Sequence, residues 1–331
     1  MSVRGAVFLM ASVVFAAGAA LADPTQWRRE GWIKTDFDKT RIGWSEVVSG
    51  GPPKGGIPSI DKPQFTAVGS VDDLSDNEPV IGLKVGGEAR AYPLRILIWH
   101  EIVNDTVGGM PVAVTYCPLC NSAVVFDRRA GSHILDFGTT GKLRNSDLVM
   151  YDRQTESWWQ QFTGEAIVGT LVGTELKLVP ARLESFSEFK QRNPAGRVLV
   201  PNDPRFRRYG QNPYVGYDTA KSPFLFSGEL PKGIEPMARV VVVRLETGPP
   251  LIVAVERVRR LGTERIGRLE ISWKSGQASA LDDARIARGR DVGTIAVEEV
   301  GDDGKRYERP YDVTFAFAAH AFHPDVTILG K

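Results

Sequence analysis

Cysteine and histidine are scarce in this chain. Of its 331 residues, two are cysteines and four are histidines. The cysteines, Cys117 and Cys120, stand together in a Cys-Pro-Leu-Cys segment. A single C-x-x-C pair is typical of half a metal site, a redox pair or a tight structural disulfide. The choice among these three decides most of what the sequence says about function.

An excess of charge of one sign is also missing. The chain has 41 basic and 40 acidic residues, with no long run of either. This balance argues against nucleic acid or an anionic membrane as the main partner. The sequence also lacks G-x-S-x-G, P-loop, Rossmann glycine and H-E-x-x-H patterns. The common hydrolase, nucleotide-binding and zinc-protease mechanisms therefore have no support.

Residues 1–22 have the pattern of an export signal. Arg4 is followed by an uncharged apolar run over residues 7–17, and Ala20-Leu21-Ala22 is a typical cleavage site before Asp23. No later segment reaches the ~18 uncharged apolar residues that a transmembrane helix needs. We therefore expect a periplasmic or secreted protein with no transmembrane segment after cleavage. In such an oxidising compartment a cysteine pair can persist as a disulfide.

The distribution of glycine and proline predicts the fold class. The chain contains 34 glycines and 21 prolines, which interrupt it every few residues and leave little helical periodicity. This spacing predicts a mainly β protein, a β-rich α+β fold in which antiparallel hairpins form a barrel- or sandwich-like body with a few short helices. One of these helices is expected at residues 186–193, before Pro194. We expect residues 23–331 to form a single domain, with a smaller β subdomain at about 235–305.

The segment before the cysteines has the pattern of a tight hairpin. Residues 101–107 and 110–116 are strand-like and flank Gly108-Gly109, a pair that accepts the positive φ angles of two-residue turns. A turn centred between these glycines places His100 opposite Cys117 and Glu101 opposite Tyr116. Directly opposed residues share one face of the sheet, with Cβ atoms ~5 Å apart. The register therefore predicts that His100 lies beside the cysteines.

This register favours a transition-metal site made of His100, Cys117 and Cys120. The residues after the pair look like a strand rather than a helix, which argues against a thioredoxin-like arrangement. Asn121 readily adopts the left-handed conformation needed to turn two sulfurs toward one ion. Two thiolates and an imidazole suit zinc or copper, with Glu101 or Asp105 as support. His320 and His323 are further candidates if the C-terminal segment folds back.

Two other functions remain open from the sequence. The pair is also consistent with a thiol–disulfide protein that exchanges electrons with a redox partner protein. Alternatively, the cysteines only shape a turn beside a small-molecule-binding or enzymatic cleft. Such a cleft would use polar residues from neighbouring hairpins. Its candidate catalytic residues are Glu101, Asp105 and Asp152, and its candidate ligand-binding residues are Asn104, Trp159 and Gln161, within a wider polar set that adds Asn145, Asp147 and Glu156.

Several motifs in this chain resemble the bacterial and archaeal family DUF3179. They are AYPL at 91–94, HEIVND at 100–105, PVAVTYCPLC at 111–120 and YDRQT at 151–155. The resemblance extends over most of the chain and implies a single family domain. His100, Cys117 and Cys120 all lie in these motifs, so a shared site would centre on them. Gly55, where the family pattern has Asp, and His320, where an aromatic residue is usual, depart from it.

Overall fold

The computed structural model describes residues 24–330, and the export signal predicted for residues 1–22 lies outside them. Strands dominate this part of the chain, and its α-helices are six or seven residues long. The predicted mainly β fold with a few short helices is confirmed. Within the same range, no helix is long and apolar enough to cross a membrane.

The strands are short and follow one another closely. In chain order they are β1 Val47–Ser49, β2 Gln64–Ala67, β3 Pro79–Val85, β4 Glu88–Pro93, β5 Ile102–Val107, β6 Met110–Cys117, β7 Ser122–Asp127, β8 Arg129–Ala130, β9 His133–Ile134, β10 Phe137–Arg144, β11 Asp147–Asp152, β12 Trp158–Gln160, β13 Ala166–Val168, β14 Ala181–Ser185, β15 Arg197–Val200, β16 Arg239–Val243, β17 Leu251–Ala254, β18 Thr263–Ile266, β19 Leu269–Lys274, β20 Thr294–Val300, β21 Arg306–Glu308, β22 Tyr311–Phe315 and β23 Ile328–Leu329.

These strands form six sheets, and nearly all neighbouring strands are antiparallel. The orders are β1-β10-β11-β12-β13, β14-β3-β4-β15-β2, β22-β16-β17-β23, β18-β19-β20-β21, β5-β6-β7 and β8-β9. Only the β15–β4 and β17–β23 pairs are parallel among the described strands. The predominance of hairpins follows from the frequent two-residue glycine turns, which join antiparallel strands directly.

The helices connect strands and have clear sequence boundaries. The predicted helix at 186–193 is confirmed, because the Ser185 hydroxyl accepts a hydrogen bond from the Glu188 N–H at its start and Pro194 follows its end. Short 3-10 turns lie at Trp44–Glu46, Val68–Ser70, Tyr217–Thr219 and Ile286–Arg288. The α-helices are α1 Pro24–Arg29, α2 Leu94–His100, α3 Phe186–Arg192, α4 Val255–Leu261 and α5 Ala316–Phe322.

The largest buried cluster joins the three-stranded sheet β5-β6-β7 to elements from both halves of the chain. Val114 and Cys117 of β6 belong to it, together with Ile81 of β3, Val241 of β16 and Ile271 of β19. The region predicted as a smaller β subdomain at about 235–305 contains the sheet β18–β21, yet it contributes to this common core. Its boundaries remain a prediction.

The hairpin of β5 and β6 has the register that the sequence predicts. Ile102 pairs with Thr115, and Val107 pairs with Met110 across Gly108 and Gly109. The turn glycines have φ angles of 53° and 80°, as a type I′ turn requires. This hairpin fixes where β6 ends, and therefore where Cys117 lies.

The two turn glycines differ in their surroundings, which allows a matched test. A Cβ added to Gly108 would lie 2.2 Å from the Val85 carbonyl oxygen, whereas one added to Gly109 meets no atom within 4 Å. Gly109→Ala should therefore cost only the backbone strain of a positive φ, about 1–2 kcal/mol of unfolding free energy. Gly108→Ala should cost about 2 kcal/mol more, because the neighbouring hairpin must also move. Urea unfolding of both variants measures the difference, and equal losses would contradict the close approach.

Candidate functional site

The Cys-Pro-Leu-Cys segment is a tight turn between two strands. β6 ends at Cys117 and β7 begins at Ser122, and these two residues are paired in the ladder. Asn121 closes the turn with a φ of 54°, and its N–H donates to the Pro118 carbonyl at 3.2 Å. The left-handed conformation expected for Asn121 is confirmed. Both cysteines are buried and carry free thiols.

Strand β22, far along the chain, holds this turn in place. The Cys120 carbonyl accepts hydrogen bonds from the Thr314 hydroxyl at 2.8 Å and from the Phe315 N–H at 3.0 Å. The Asn121 side-chain amide donates to the Val313 carbonyl at 2.8 Å. Because these groups are buried, each bond satisfies a polar atom that water cannot reach. The position of the thiols therefore depends on contacts across nearly the whole chain.

A second turn brings a carboxyl group and a carbonyl group to the thiols. Asn145 and Ser146, between β10 and β11, have φ angles of 54° and 62° and place Asp147 first in β11. The Ser146 carbonyl accepts from the Cys120 thiol at 3.3 Å, and the Cys117 thiol lies 3.8 Å from the same oxygen. This turn therefore packs directly against the Cys-Pro-Leu-Cys turn.

Asp147 is buried, and its hydrogen bonds from nitrogen donors reach only one of its two carboxyl oxygens. Its Oδ2 accepts from the Gln160 side-chain amide at 2.6 Å and from the Phe162 N–H at 2.9 Å. Its Oδ1 has no nitrogen or hydroxyl donor among residues 24–330, although the Cys120 thiol lies close enough to lower the pKa of the carboxyl. One donor atom each from Cys117, Cys120 and Asp147 lies within 4.8 Å of the others. A free carboxylate oxygen next to two sulfurs is an arrangement able to bind a cation.

Glu101 is the fourth acidic group of this region. It follows α2 with a φ of 58° and a ψ of −33°, an unusual conformation for a residue with a side chain. Its carbonyl accepts from the Tyr116 N–H at 2.8 Å, which continues the β5–β6 pairing by one bond. Its buried carboxyl group makes no hydrogen bond within the described part of the chain. Backbone strain of this kind is typical of functional sites.

Burial favours the protonated form of these four groups. It raises the pKa of Glu101 to about 8, with a further increase from Asp147, and it raises the pKa of Asp147 to about 7. Burial also raises the pKa of both thiols, and the charge of Asp147 adds to this effect. Four buried acids would repel one another if they all ionised. A bound cation would remove that repulsion.

His100 does not join the cysteines, and its predicted place opposite Cys117 is wrong. The ladder begins at Ile102, because α2 continues through His100 and the chain reverses at Glu101. The His100 Nδ1 lies 2.7 Å from the Pro58 carbonyl oxygen, and its Nε2 lies 2.8 Å from the Tyr209 hydroxyl. Both ring nitrogens therefore have partners away from the thiols, and burial lowers the pKa of the ring.

Asp105 and Asn104 have contacts of their own on strand β5. Asp105 forms an ion pair with Arg90 at 2.5 Å and accepts from the Tyr92 hydroxyl at 2.6 Å. The Asn104 side chain bonds both backbone polar groups of Phe137, at 2.8 and 2.9 Å. These contacts join neighbouring sheets, so they account for the two side chains structurally.

Of the remaining candidates, the structure brings Asp152 and Trp159 together. Asp152 accepts from the Trp159 indole at 2.9 Å and from the Thr155 N–H at 2.6 Å, so it closes the turn between β11 and β12. The Gln161 amide donates to the Thr115 hydroxyl at 2.9 Å. His323 packs against the Phe162 ring, and it is not in the donor group of Cys117, Cys120 and Asp147.

Asp147 belongs to the polar set that the sequence predicts, but no motif in the sequence marks it as a ligand. The Asn145-Ser146 pair before a strand-like segment was an available indication, since asparagine favours the positive φ of two-residue turns. It predicts a turn that begins β11 at Asp147. It does not predict that this turn packs on the cysteines, which depends on tertiary contacts.

The raised pKa values predict how the stability of the metal-free protein depends on pH. The protonated carboxyls of Asp147 and Glu101 stabilise the fold fully below about pH 4, and this contribution is lost as pH rises through about 7 and 8. In EDTA, thermal unfolding should occur at progressively lower temperature between about pH 4 and 8, and the effect of these two groups should level off above that range. Asp147→Asn should flatten this slope, corresponding to a few kcal/mol. Asp72→Asn, which removes an exposed carboxyl, should leave the slope unchanged.

Comparison with known proteins places the chain in one family. No curated protein and no solved structure matches it. The model of the family described as "Protein of unknown function (DUF3179)" matches residues 54–326, which include Glu101, both cysteines and Asp147. The match extends from the loop before β2 to the segment after α5. The chain therefore belongs to the DUF3179 family.

Proposed function

We propose that this protein binds a zinc ion through Cys117, Cys120 and Asp147, with the buried acid Glu101 close to this donor group but not part of it. The observation that carries the proposal is the convergence of three donor atoms, from two turns, within 4.8 Å of one another. The Asp147 Oδ1, which has no nitrogen or hydroxyl donor among residues 24–330, supports it, because a buried carboxylate oxygen without such a donor is costly unless it binds something.

The donor distances suit a small ion. With Zn–S bonds of ~2.3 Å and Zn–O bonds of ~2.0 Å, neighbouring donors of a tetrahedral site lie about 3.5 Å apart. Donor atoms already within 4.8 Å of one another reach this separation by small side-chain rotations. Both turns are held by hydrogen bonds, from the Thr314 hydroxyl to the Cys120 carbonyl and from the Phe162 N–H to the Asp147 carboxyl.

The mixed donor set favours zinc over copper. Two thiolates alone suit Cu(I) and zinc about equally, but a carboxylate oxygen is a poor partner for Cu(I) and a normal one for zinc. All four side chains are buried. Structural zinc sites are closed in this way, whereas catalytic ones keep an open position. We therefore infer a structural role for the ion, in a protein for which residues 1–22 predict a periplasmic or secreted location.

Zinc binding would exchange protons for the ion. Burial favours the protonated thiols and carboxyls, so the ion must compete with protons for these groups. Affinity should therefore rise with pH over the range in which Asp147 and Glu101 ionise. The ion would also replace the mutual repulsion of four buried anions by attraction to a common charge.

Metal analysis of the native protein tests this proposal. Protein purified without chelators, or loaded with zinc and dialysed, should contain about one zinc per chain by mass spectrometry. Cys117→Ser and Asp147→Asn should each lower zinc affinity at least tenfold, because each removes a direct ligand. His100→Asn and Asp152→Asn should retain zinc, since these residues have other partners. A wild-type protein that takes up no zinc would refute the site.

A second candidate function is thiol–disulfide exchange. The observation that favours it is that two free thiols lie beside Asp147, whose pKa of about 7 suits a proton acceptor. Oxidation would form the Cys117–Cys120 bond and pass two electrons to the disulfide of an exported partner protein, whose two sulfurs would take up the two protons that the thiols lose. Against it stands burial, which raises the pKa of both thiols and so disfavours the thiolate that reacts.

The reduction potential separates the two functions. A redox-active pair should equilibrate with glutathione buffers at a potential above about −270 mV, and Asp147→Asn should slow its oxidation near pH 7. A zinc site should instead be protected from oxidants while the ion is bound and react only after EDTA treatment. A potential below about −300 mV would identify an inert bridge and exclude the exchange function.

A further inference from the structure

A large cavity lies away from the thiols, beside strand β17 and helix α4. Its volume is about 450 Å³, within the range of small-molecule sites. Its walls come from the segment before β16, from α4 and from the loop before β20. The lining includes Ile234, Met237, Arg239, Val255, Arg260 and Val292. None of these residues belongs to the thiol site, so the cavity calls for its own explanation.

Positive charge dominates the cavity wall. Five of its lining residues are arginines and two are acidic. Both acids are already engaged. Asp291 accepts backbone hydrogen bonds from Gly276 and Gly293, and Glu256 forms an exposed ion pair with Arg259. No acidic side chain among residues 24–330 pairs with Arg260, which is exposed at the edge of the cavity. The cavity therefore has unneutralised positive charge.

Arg239 carries this charge into the buried side of the cavity. Only 9% of its side chain is exposed. One guanidinium nitrogen contacts Asp218 at 3.2 Å and the Ser279 hydroxyl at 3.0 Å, while its Nε has no partner within the described residues. Asp218 also pairs with Arg290 at 3.1 Å. One carboxylate thus serves two guanidinium groups, and a buried N–H donor is left without an acceptor.

The rest of the wall is apolar. Ile234, Met237 and Val255 line the cavity with Ala238 and Val292. Apolar walls with a few converging polar groups are typical of sites for small organic ligands. Free phosphate would leave these walls without a partner, and a neutral hydrocarbon would leave the guanidinium groups without one.

We propose that this cavity binds a small organic anion, a monocarboxylate with an aliphatic body. The carboxylate would accept hydrogen bonds from Arg239 and Arg260, and the aliphatic body would pack on Ile234, Met237 and Val255. Guanidinium groups bind carboxylates by paired, charge-assisted hydrogen bonds. The proposal is independent of the zinc site, because it uses no residue of that site.

Titration calorimetry with octanoate as the probe tests the proposal. Octanoate should bind one per chain with a Kd below about 1 mM, and the uncharged octanamide should bind at least about tenfold more weakly. Inorganic phosphate, which has charge but no aliphatic body, should also bind at least about tenfold more weakly. Equal binding of octanoate and octanamide, or no octanoate binding at about 1 mM, would overturn the proposal.

Variants at the cavity edge avoid disturbing the buried ion pairs. Arg260→Gln should weaken octanoate binding about five- to tenfold, because it removes one charge-assisted contact. Arg205→Gln is the matched control, since Arg205 is exposed and lies outside the cavity. It should leave the Kd unchanged. If both variants weaken binding equally, octanoate responds only to overall charge and the assigned site is wrong.

Discussion

The bonds from strand β22 to the Cys-Pro-Leu-Cys turn are the contacts on which the thiol site depends. The turn has no regular structure of its own, and its left-handed Asn121 is held by a hydrogen bond from its side chain. Thr314 and Phe315 provide the donors for Cys120, and Val313 provides the acceptor for Asn121. These bonds fix the positions of the two sulfurs, and the turn that carries Asp147 packs beside them.

The packing of the two turns also buries the four acidic groups of the site. Because the turns exclude water, Glu101, Asp147 and both cysteines are buried together, and burial raises the pKa of each. Hydrogen bonds from Gln160 and Phe162 offset part of this for Asp147. Glu101 has no such compensation in the described structure, and its backbone is strained as well. A buried carboxyl group without hydrogen bonds and a strained backbone both destabilise the fold, and such residues are typical of binding sites rather than of the core.

Local sequence features predicted much of the fold. Gly108-Gly109 determines a type I′ turn and hence the register of β5 with β6, and Ser185 and Pro194 mark the ends of helix α3. Asn121 was predicted to be left-handed because few other residues adopt that conformation. In each case the contacts that determine the structure lie within a few residues of one another, so the local sequence is sufficient to predict them.

The candidate site was predicted only in part, because two of its features are not local. Helix α2 continues through His100 and ends at Glu101, which has a positive φ, and the His100 ring contacts Tyr209. The register of a hairpin does not predict the conformation of the residues that precede it. Asp147 reaches the sulfurs through the packing of one turn on another, which no spacing in the sequence encodes. The cysteines themselves were found because a pair of this kind is rare.

The long sequence separation between the Cys-Pro-Leu-Cys turn and strand β22 has a consequence for synthesis. The two groups joined by the Thr314–Cys120 bond are 194 residues apart. At ordinary translation speeds of about 5–20 residues per second, Cys120 is made roughly 10–40 seconds before the strand that encloses it. Until β22 has been made, the bonds from Thr314 and Phe315 to the Cys120 carbonyl cannot form. The final arrangement of the two sulfurs therefore depends on one of the last segments of the chain to be synthesised.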